Sequence, residues 1–230
     1  MERKSVNSKP QNRKYVVESL MGISKNENQD NFLIIEEKDY SLFYVFDGVG
    51  SALNSKKATE LSKEYILIHS NSHFNNGLFD FAKLMLETNS YLLNQGIPEV
   101  KTTYCSVCIS LLNPNLIQYS SLGDSRIYII NPQYLKQITE DDRFSTNRNL
   151  LSKYLGMENL SLNDFYTENY NISNNEKILL CSDGFYNLME QEKARSFEIL
   201  SKQYLSSIKK NLFSFVINKN LDDSTFILIK

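Results

Sequence analysis

Cysteine and histidine are scarce in this sequence of 230 residues, which contains three of the former and two of the latter. Cys105 and Cys108 form a single C-x-x-C within a strand-like run, where successive side chains alternate between the two faces of a sheet. Positions three apart therefore face opposite sides, and no second C-x-x-C exists to complete a zinc site. We expect both residues, and Cys181, to lie in the core, and the odd cysteine count fits a reducing compartment.

The two histidines, His69 and His73, lie four positions apart near the end of a predicted helix. Such a spacing could chelate a metal ion. Their neighbours are asparagine and serine, and no third ligand is in view. We therefore expect both histidines to lie at the surface.

Long apolar runs and a charge excess are also missing. No apolar run approaches the roughly 18 residues that a membrane span needs. A net charge of -2 and a pI of about 5.8 give no electrostatic footprint for nucleic acid. Residues 1–14 are basic and polar with no apolar segment behind them, so we expect a flexible basic tail and no secretory signal. These absences predict a cytoplasmic protein without a membrane span or a nucleic-acid partner.

Three motifs for phosphate chemistry are absent as well. The sequence lacks the C-x5-R of cysteine phosphatases and the D-x-D-x-T of enzymes that form an aspartyl phosphate. It also lacks the G-x-x-x-x-G-K loop that cradles nucleotide phosphates. Any phosphoryl chemistry in this chain would therefore need another arrangement of residues.

Apolar periodicity predicts strands that are grouped separately from helices. The expected strands span residues 15–20, 31–37, 41–47, 103–112, 116–122, 126–130, 134–138, 177–181 and 222–230. The expected helices span residues 52–70 and 78–93, a short piece near 150–155, and two helices within 190–212. Tight turns at N-P-N, G-D-S and N-P-Q favour an antiparallel meander between residues 103 and 138. This grouping favours an α+β fold with antiparallel sheets.

The length of the chain suits one large domain with a substantial core. We assign residues 15–230 to that domain, with residues 1–14 as the tail. Residues 140–170 are polar and less regular, and we interpret them as a flap that lies over the site and not as a separate domain.

Four acids share one sequence context, because each lies at the end or the start of an apolar strand beside a turn-forming residue: Asp47, Asp124, Asp183 and Asp222. Asp-Gly is a common hairpin turn, and any one of these acids could be only that. After Asp47 and Asp183, however, the chain enters predicted helices, which a two-residue hairpin would not do. Converging carboxylates repel one another unless a hard cation such as Mg²⁺ or Mn²⁺ binds them. An all-oxygen cluster without histidine or cysteine argues against structural zinc.

Five short motifs extend this pattern along nearly the whole chain. They are N-Q-D at 28–30, F-D-G-V-G at 46–50, G-D-S-R at 123–126, S-D-G at 182–184 and D-D-S-T at 222–225. In this order they resemble the protein phosphatase 2C family of metal-dependent serine/threonine phosphatases, in its bacterial single-domain form. The resemblance implies a four-layer α-β-β-α sandwich, in which two antiparallel sheets pack face to face with helices outside.

The same resemblance implies a site for two Mg²⁺ or Mn²⁺ ions. Asp47 would bridge the two ions, and Gly48 would offer its backbone carbonyl to one of them. Asp183 and Asp222 would complete the other, so Asp47, Asp183 and Asp222 are the implied catalytic residues. Asp30 would act mainly through metal-bound waters. In some members of the family a third, weaker ion binds at the positions that match Asp124 and Asp183.

The implied reaction is hydrolysis of phosphoserine or phosphothreonine by hydroxide that bridges the two ions and attacks phosphorus in line. The substrate would be a protein phosphorylated by a serine/threonine kinase, and we expect the phosphatase to be a monomer. No protein nucleophile is required, which agrees with the motifs that the sequence lacks.

Three positions depart from the family pattern. Lys25 stands where most members have the arginine that grips the substrate phosphate; lysine keeps the charge but loses the bidentate fork. Val49 stands where many eukaryotic members have a histidine and bacterial members carry methionine, and Ser51 replaces a glycine. These departures leave open a second reading, a weak or inactive module that binds a phosphoprotein or a regulatory partner. Hydrolysis of another phosphoester, such as a small metabolite, is a third reading.

Overall fold

The computed structural model of the chain describes residues 13–230, without the side chains of residues 148 and 149. Of the predicted tail, only Arg13 and Lys14 fall within this range, and residues 1–12 lie outside the described residues. The Arg13 guanidinium donates to the carbonyl of Pro114, and the carbonyl of Lys14 accepts from the backbone of Lys230 at 2.8 Å. Both described residues of the tail therefore contact the folded domain.

The strands have the following bounds in chain order: β1 (Tyr15–Leu20), β2 (Asn31–Glu36), β3 (Tyr40–Gly48), β4 (Phe74–Asn75), β5 (Leu78–Phe79), β6 (Thr102–Ser110), β7 (Leu116–Leu122), β8 (Arg126–Ile130), β9 (Leu135–Gln137), β10 (Arg143–Phe144), β11 (Asn147–Leu151), β12 (Glu168–Asn171), β13 (Lys177–Cys181) and β14 (Ser224–Ile229). The helices are α1 (Ser55–His69), α2 (Phe81–Leu93), α3 (Asp183–Gln191), α4 (Lys193–Leu200) and α5 (Leu205–Val216). Short 3-10 turns cover Ser70–His73 and Leu162–Asp164.

Two five-stranded sheets dominate the fold, and every strand pair within them is antiparallel. Sheet A has the strand order β12-β7-β6-β3-β2, and sheet B has the order β1-β14-β13-β8-β9. Two short hairpins, β4–β5 and β10–β11, stand apart from the sheets.

Alternate residues of β3 show why the sheets form inner layers. Phe43 and Val45 pack between the sheets, whereas Tyr44 and Phe46 pack against α1 and α2. Because both faces of such a strand are buried, its sequence is a continuous apolar run rather than an alternation of apolar and polar residues. Helices α3, α4 and α5 cover sheet B in the same way, through a separate cluster of apolar residues around Phe226. The order of layers is helices, sheet A, sheet B, helices, which confirms the predicted α-β-β-α sandwich.

The predicted meander is wrong at G-D-S. Strands β6 and β7 pair as expected, and so do β8 and β9, but β7 lies in sheet A and β8 in sheet B. The turn at Gly123–Ser125 therefore carries the chain from one sheet to the other. The helical piece predicted near residues 150–155 is also wrong, because residues 147–151 pair with β10 as a hairpin.

Two smaller differences concern the start of helix α2 and the burial of a histidine. Helix α2 begins at Phe81 and not at residue 78, because Leu78–Phe79 forms strand β5 and the Asp80 side chain caps the helix at the Lys83 N–H, 3.0 Å away. The two helices expected within 190–212 are confirmed as α4 and α5, and the helix expected after Asp183 is α3. The prediction that His73 is exposed is wrong: it is buried, with Nε2 3.1 Å from the Glu87 carboxylate.

The cysteine prediction is confirmed, since Cys105, Cys108 and Cys181 are all buried and free. Cys105 faces the space between the sheets and Cys108 faces the helices, as alternation along β6 requires. In the part of the chain that the structure describes, no helix is both long and apolar enough to cross a membrane.

Candidate active site

A cavity of about 200 Å³ opens at one end of the two sheets, where several strands stop. Its wall includes Asp47 and Gly48 at the end of β3, Asp124 in the turn between the sheets, and Asp183 at the start of α3. Asp222, just before β14, also lines it. The structure thus brings together four of the predicted acids from both sheets.

Asp47 and Asp183 are in direct contact across the two sheets. The backbone N–H of Asp183 donates to Oδ2 of Asp47 at 3.1 Å. Asp183 is the first residue of α3, where the positive end of the helix dipole favours a carboxylate. Residues 136 positions apart in the chain therefore meet at the mouth of the space between the sheets.

Asp30, the fifth predicted acid, is buried near the cavity without being part of its wall. Its carboxylate accepts a hydrogen bond of 2.7 Å from the Ser182 hydroxyl, the residue that precedes Asp183. Burial raises the pKa of Asp30 to about 8, and the neighbouring charges of Asp223 and Asp183 add to that rise. Asp30 therefore lies close enough to the acidic cluster for the carboxylates to interact.

The acids of the cavity wall raise one another's pKa values. Burial raises the pKa of Asp47 well above its usual range, with further contributions from Asp183, Asp30 and Asp124. Burial, followed by the charge of Asp222, raises the pKa of Asp183. Burial and the charge of Asp183 raise the pKa of Asp124 to about 6 despite the opposing charge of Arg143. The site is thus a buried concentration of negative charge, which a cation would relieve.

Lys25 reaches the same cavity from the loop after β1. Its Nζ lies 2.7 Å from Oδ1 of Asp222, whose side chain is 47% exposed. A Cβ added at Gly50, in the cavity wall, would lie 3.3 Å from that Nζ. The predicted phosphate-binding lysine therefore stands at the site, paired with a predicted metal ligand. Val49 and Ser51 also line the cavity, and the apolar side chain of Val49 cannot serve as a general acid.

Sequence reasoning missed Arg143, which lines the cavity and forms an ion pair with Asp124. It lies in the polar stretch that was predicted only as a flap, and no motif marked it. Reasoning also gave no role to Asp223, whose buried carboxylate accepts hydrogen bonds from the backbone of Gly22 at 2.8 Å and Gln29 at 2.7 Å. Asp223 thereby holds the loop that carries Lys25 and Asp30 against the start of β14.

Within residues 13–230, no group of three or more histidine, cysteine, aspartate or glutamate side chains is arranged to hold a metal ion. The carboxylates instead interact with other side chains of the protein. Asp30 accepts a hydrogen bond from Ser182, and Asp124 and Asp222 form ion pairs with Arg143 and Lys25. The donor set nevertheless fits a hard divalent cation, because it consists of carboxylate oxygens whose mutual repulsion raises their pKa values. Gly48 also lines the cavity, and a Cβ added there would lie 2.8 Å from the carbonyl oxygen of Gln29.

A four-layer sandwich with an acidic cavity at one end of its sheets defines a recognisable class of fold. The family model described as Protein phosphatase 2C matches residues 23–222, and the chain belongs to that family. This match confirms the resemblance that the five motifs indicated.

Individual relatives are distant in sequence but similar along their whole length. The chain is 23% identical to the serine/threonine phosphatase stp of Listeria monocytogenes over 239 residues, which cover 91% of this chain and 92% of that protein. The crystal structure of the serine/threonine phosphatase Stp1 from Staphylococcus aureus has a TM-score of 0.76 at 19% identity, covering 100% of this chain and 98% of that one. RsbX in complex with magnesium has a TM-score of 0.71 at 17% identity, covering 96% and 97% of the two chains. These structures confirm the fold.

Proposed function

We propose that this protein is a phosphoserine/phosphothreonine phosphatase that depends on Mg²⁺ or Mn²⁺. The observation that carries the proposal is the meeting of Asp47 and Asp183, from different sheets, in one cavity with Asp124 and Asp222. Membership of the protein phosphatase 2C family supports it, as do relatives named serine/threonine phosphatase. A magnesium complex of the similar RsbX structure supports the choice of cation.

The residues that would hold two ions are those predicted from the sequence. Asp47 would contact both ions, Gly48 would contribute its carbonyl oxygen, and Asp183 and Asp222 would complete the set. Asp30 would bind through water, with its orientation maintained by the Ser182 hydroxyl. When bound, the ions would activate a water as the nucleophile and offset the negative charge on the phosphoryl oxygens.

Lys25 would contact the substrate phosphate as a point charge. In the structure its ammonium group forms an ion pair with Asp222 at 2.7 Å. Burial alone would lower the pKa of Lys25, but the Asp222 carboxylate outweighs burial and the pKa is raised. A lysine cannot form the two parallel hydrogen bonds that arginine forms with a phosphate. If Asp222 instead held a cation, the ammonium group of Lys25 would be available to the substrate.

The leaving alkoxide must gain a proton, and Val49 cannot supply one. General acid catalysis typically contributes roughly 10²–10⁴-fold in rate, so water as the proton donor implies a slow enzyme. The Lys25–Asp222 ion pair and Val49 are the observations that favour the second reading, a module that binds phosphoproteins and turns over weakly.

The substrate would be a protein phosphorylated by a serine/threonine kinase. We propose that the phosphatase acts as a monomer in the cytoplasm, on side chains small enough to reach a cavity of about 200 Å³. Recognition of the rest of the substrate would then depend on the surface around the cavity.

The test measures hydrolysis of p-nitrophenyl phosphate and of a phosphothreonine peptide, with Mn²⁺ or with a chelator. We expect turnover that requires Mn²⁺ and that falls at least 100-fold, as an order of magnitude, in Asp47→Asn. Asp39→Asn is the matched control, because this aspartate is exposed and lies in the turn between β2 and β3, outside the cavity wall. Turnover that is equal in both variants, or that persists in chelator, would contradict the proposal.

A further inference from the structure

Arg143 is a positively charged side chain in a cavity built from acids. It is the first residue of β10, in the hairpin beside the cavity, and its side chain is 24% exposed. Its Nη2 donates to Oδ2 of Asp124 at 2.5 Å and to the hydroxyl of Tyr186 at 3.1 Å. The guanidinium therefore occupies one oxygen of a predicted metal ligand.

A second arginine, Arg126, shares two neighbours with Arg143 and so helps to fix its position. The carboxylate of Asp141 accepts from Nη2 of Arg126 at 2.7 Å and lies 3.6 Å from Nε of Arg143. The Arg126 guanidinium also stacks on the ring of Tyr186, with 3.7 Å between its central carbon and the ring centroid. Asp141 and Tyr186 thus each contact both arginines, which restricts the rotamers open to Arg143.

The position of Arg143 matches a specific electrostatic need. Asp124 is almost fully buried and shares the cavity with Asp47 and Asp183, so its negative charge requires a counter-charge. In some members of the family, a third, weaker cation binds at the positions that match Asp124 and Asp183. A guanidinium in contact with Asp124 meets the same need, and its positive charge repels a divalent cation at the same carboxylate.

We propose that the guanidinium of Arg143 provides the counter-charge for Asp124 and thereby excludes a third divalent ion from this site. The inference rests on the proposed two-ion function and narrows it, because it limits the cavity to two divalent ions. Asp124 is then paired with Arg143 and does not bind metal. Arg143 acts through Asp124 and is a positioning residue.

The test counts bound Mn²⁺ per chain, by the loss of the free-Mn²⁺ signal in electron paramagnetic resonance. We expect Arg143→Met to bind one Mn²⁺ more than the wild type, because methionine fills similar space without the charge. We expect Arg143→Lys to match the wild type, since it restores a positive charge. Arg195→Met, which removes an arginine from the exposed surface of α4, is the control and should not change the count.

Two further variants make the outcome decisive. In the Arg143→Met background, Asp124→Asn should abolish the additional ion. In the wild-type background, Asp124→Asn should leave the count unchanged, and this arm does not require Arg143→Met to fold. A lower count in the Asp124→Asn single variant, or equal counts in the wild type and Arg143→Met, would overturn the inference alone. A wild type that binds no Mn²⁺ would overturn the proposed function and the inference with it.

Discussion

The carboxylate of Asp223 accepts two backbone hydrogen bonds from Gly22 and Gln29, which lie 201 and 194 residues earlier in the chain. At 2% exposure it is among the most buried acids of the molecule. The sequence motifs assigned no role to this residue, because its position is usually asparagine in the family. Only the folded structure shows that the two adjacent acids have different roles: Asp222 lines the cavity, and Asp223 holds the loop.

Replacing Asp223 tests that contact. Asp223→Ala leaves two backbone N–H groups without their acceptor, and we expect a loss of about 3 kcal/mol in the free energy of unfolding. Asp223→Asn retains one acceptor oxygen and should lose about half as much. Urea denaturation followed by circular dichroism measures both. If the two variants are equally stable, the carboxylate does not hold the loop.

Glu176 gives a prediction about acid pH. Burial alone would raise its pKa, but hydrogen bonds from the Ser173 N–H and the Tyr134 and Tyr170 hydroxyls lower that pKa below its usual value. A lowered folded-state pKa stabilises the protein above the unfolded value of 4.5, and this stability is lost as the pH falls through the folded value.

Glu176→Gln should therefore reduce the free energy of unfolding by about 2 kcal/mol at pH 7. The stability curves of variant and wild type should converge as the pH falls through the lowered pKa of Glu176, because the wild-type carboxyl is then protonated. Glu198→Gln, at an exposed position of α4, should follow the wild type throughout. A difference that stays constant from pH 7 to pH 3 would show that packing, and not ionisation, accounts for the effect.

Among elements, strands and helices with strong apolar patterns were predictable. The bounds predicted for residues 15–20, 116–122, 126–130 and 177–181 agree with β1, β7, β8 and β13. Their local pattern is enough because β-branched and aromatic residues fit a buried pleated surface in either sheet. The local pattern does not show which sheet a strand joins, and this explains the wrong prediction at G-D-S. A tight turn can join two strands of one sheet, or it can connect one sheet to the other.

The hairpin β10–β11 was missed for a different reason. Its strands are short, polar and outside the two sheets, so neither apolar periodicity nor a turn motif marks them. Arg143 lies in this hairpin, and the sequence signal for its role is therefore only an arginine in a polar stretch, without a motif around it. Contacts with Asp124 and Tyr186 appear only when three distant segments come together.

The crossing turn can be tested at Gly123, which has a φ of +93°. A Cβ at this position would lie 2.3 Å from Cγ2 of Thr103, whose hydroxyl contacts the Ser125 hydroxyl at 2.8 Å. We expect Gly123→Ala to reduce the free energy of unfolding by about 3 kcal/mol, combining backbone strain with a steric clash. It should also lower activity, because Asp124 follows directly.

Gly96→Ala is the matched control for that substitution. Gly96 has a φ of +67°, but an added Cβ would meet nothing within 4 Å. We expect it to cost only about 1 kcal/mol, from the backbone conformation alone. Thermal unfolding of both variants measures the difference, and equal losses would exclude the clash with Thr103 as a cause.

At the scale of the whole molecule, the residues of the site come from segments that are far apart in the sequence, from Asp30 to Asp222. The acids could be predicted because each ends or begins a strand beside a turn. Their convergence came from family resemblance, since spacing alone does not reveal which strand ends share an edge. Hydrogen bonds such as Ser182 to Asp30 could not be predicted, because they depend on how the two sheets pack.

Buried acids make metal binding depend on pH. Burial and the neighbouring charges of Asp223 and Asp183 raise the pKa of Asp30 to about 8, and burial raises the pKa of Asp47 well above its usual range. For acids with raised folded-state pKa values, the stability of the metal-free protein is highest at low pH and falls as the pH rises through those values. Metal ligands must be deprotonated, so the affinity for Mn²⁺ should rise over the same range.

We therefore expect Mn²⁺ to increase the melting temperature more at pH 8 than at pH 6. Thermal unfolding at fixed Mn²⁺ concentration, with chelator as the reference, measures the increment at each pH. Asp30→Asn should flatten this dependence between pH 7 and pH 8, because it removes the group with the pKa of about 8. An increment that is the same at all pH values would contradict the electrostatic account of the site.

The three cysteines are distributed over the molecule so that each apolar layer contains one. Cys108 lies between sheet A and its helices, Cys105 between the two sheets, and Cys181 between sheet B and its helices. Burial raises the pKa of every one of these thiols, so none is reactive in the native state. Alkylation of the three cysteines, detected by mass spectrometry, would therefore report the opening of each layer separately. The native cysteines can thus serve as unfolding probes without any substitution.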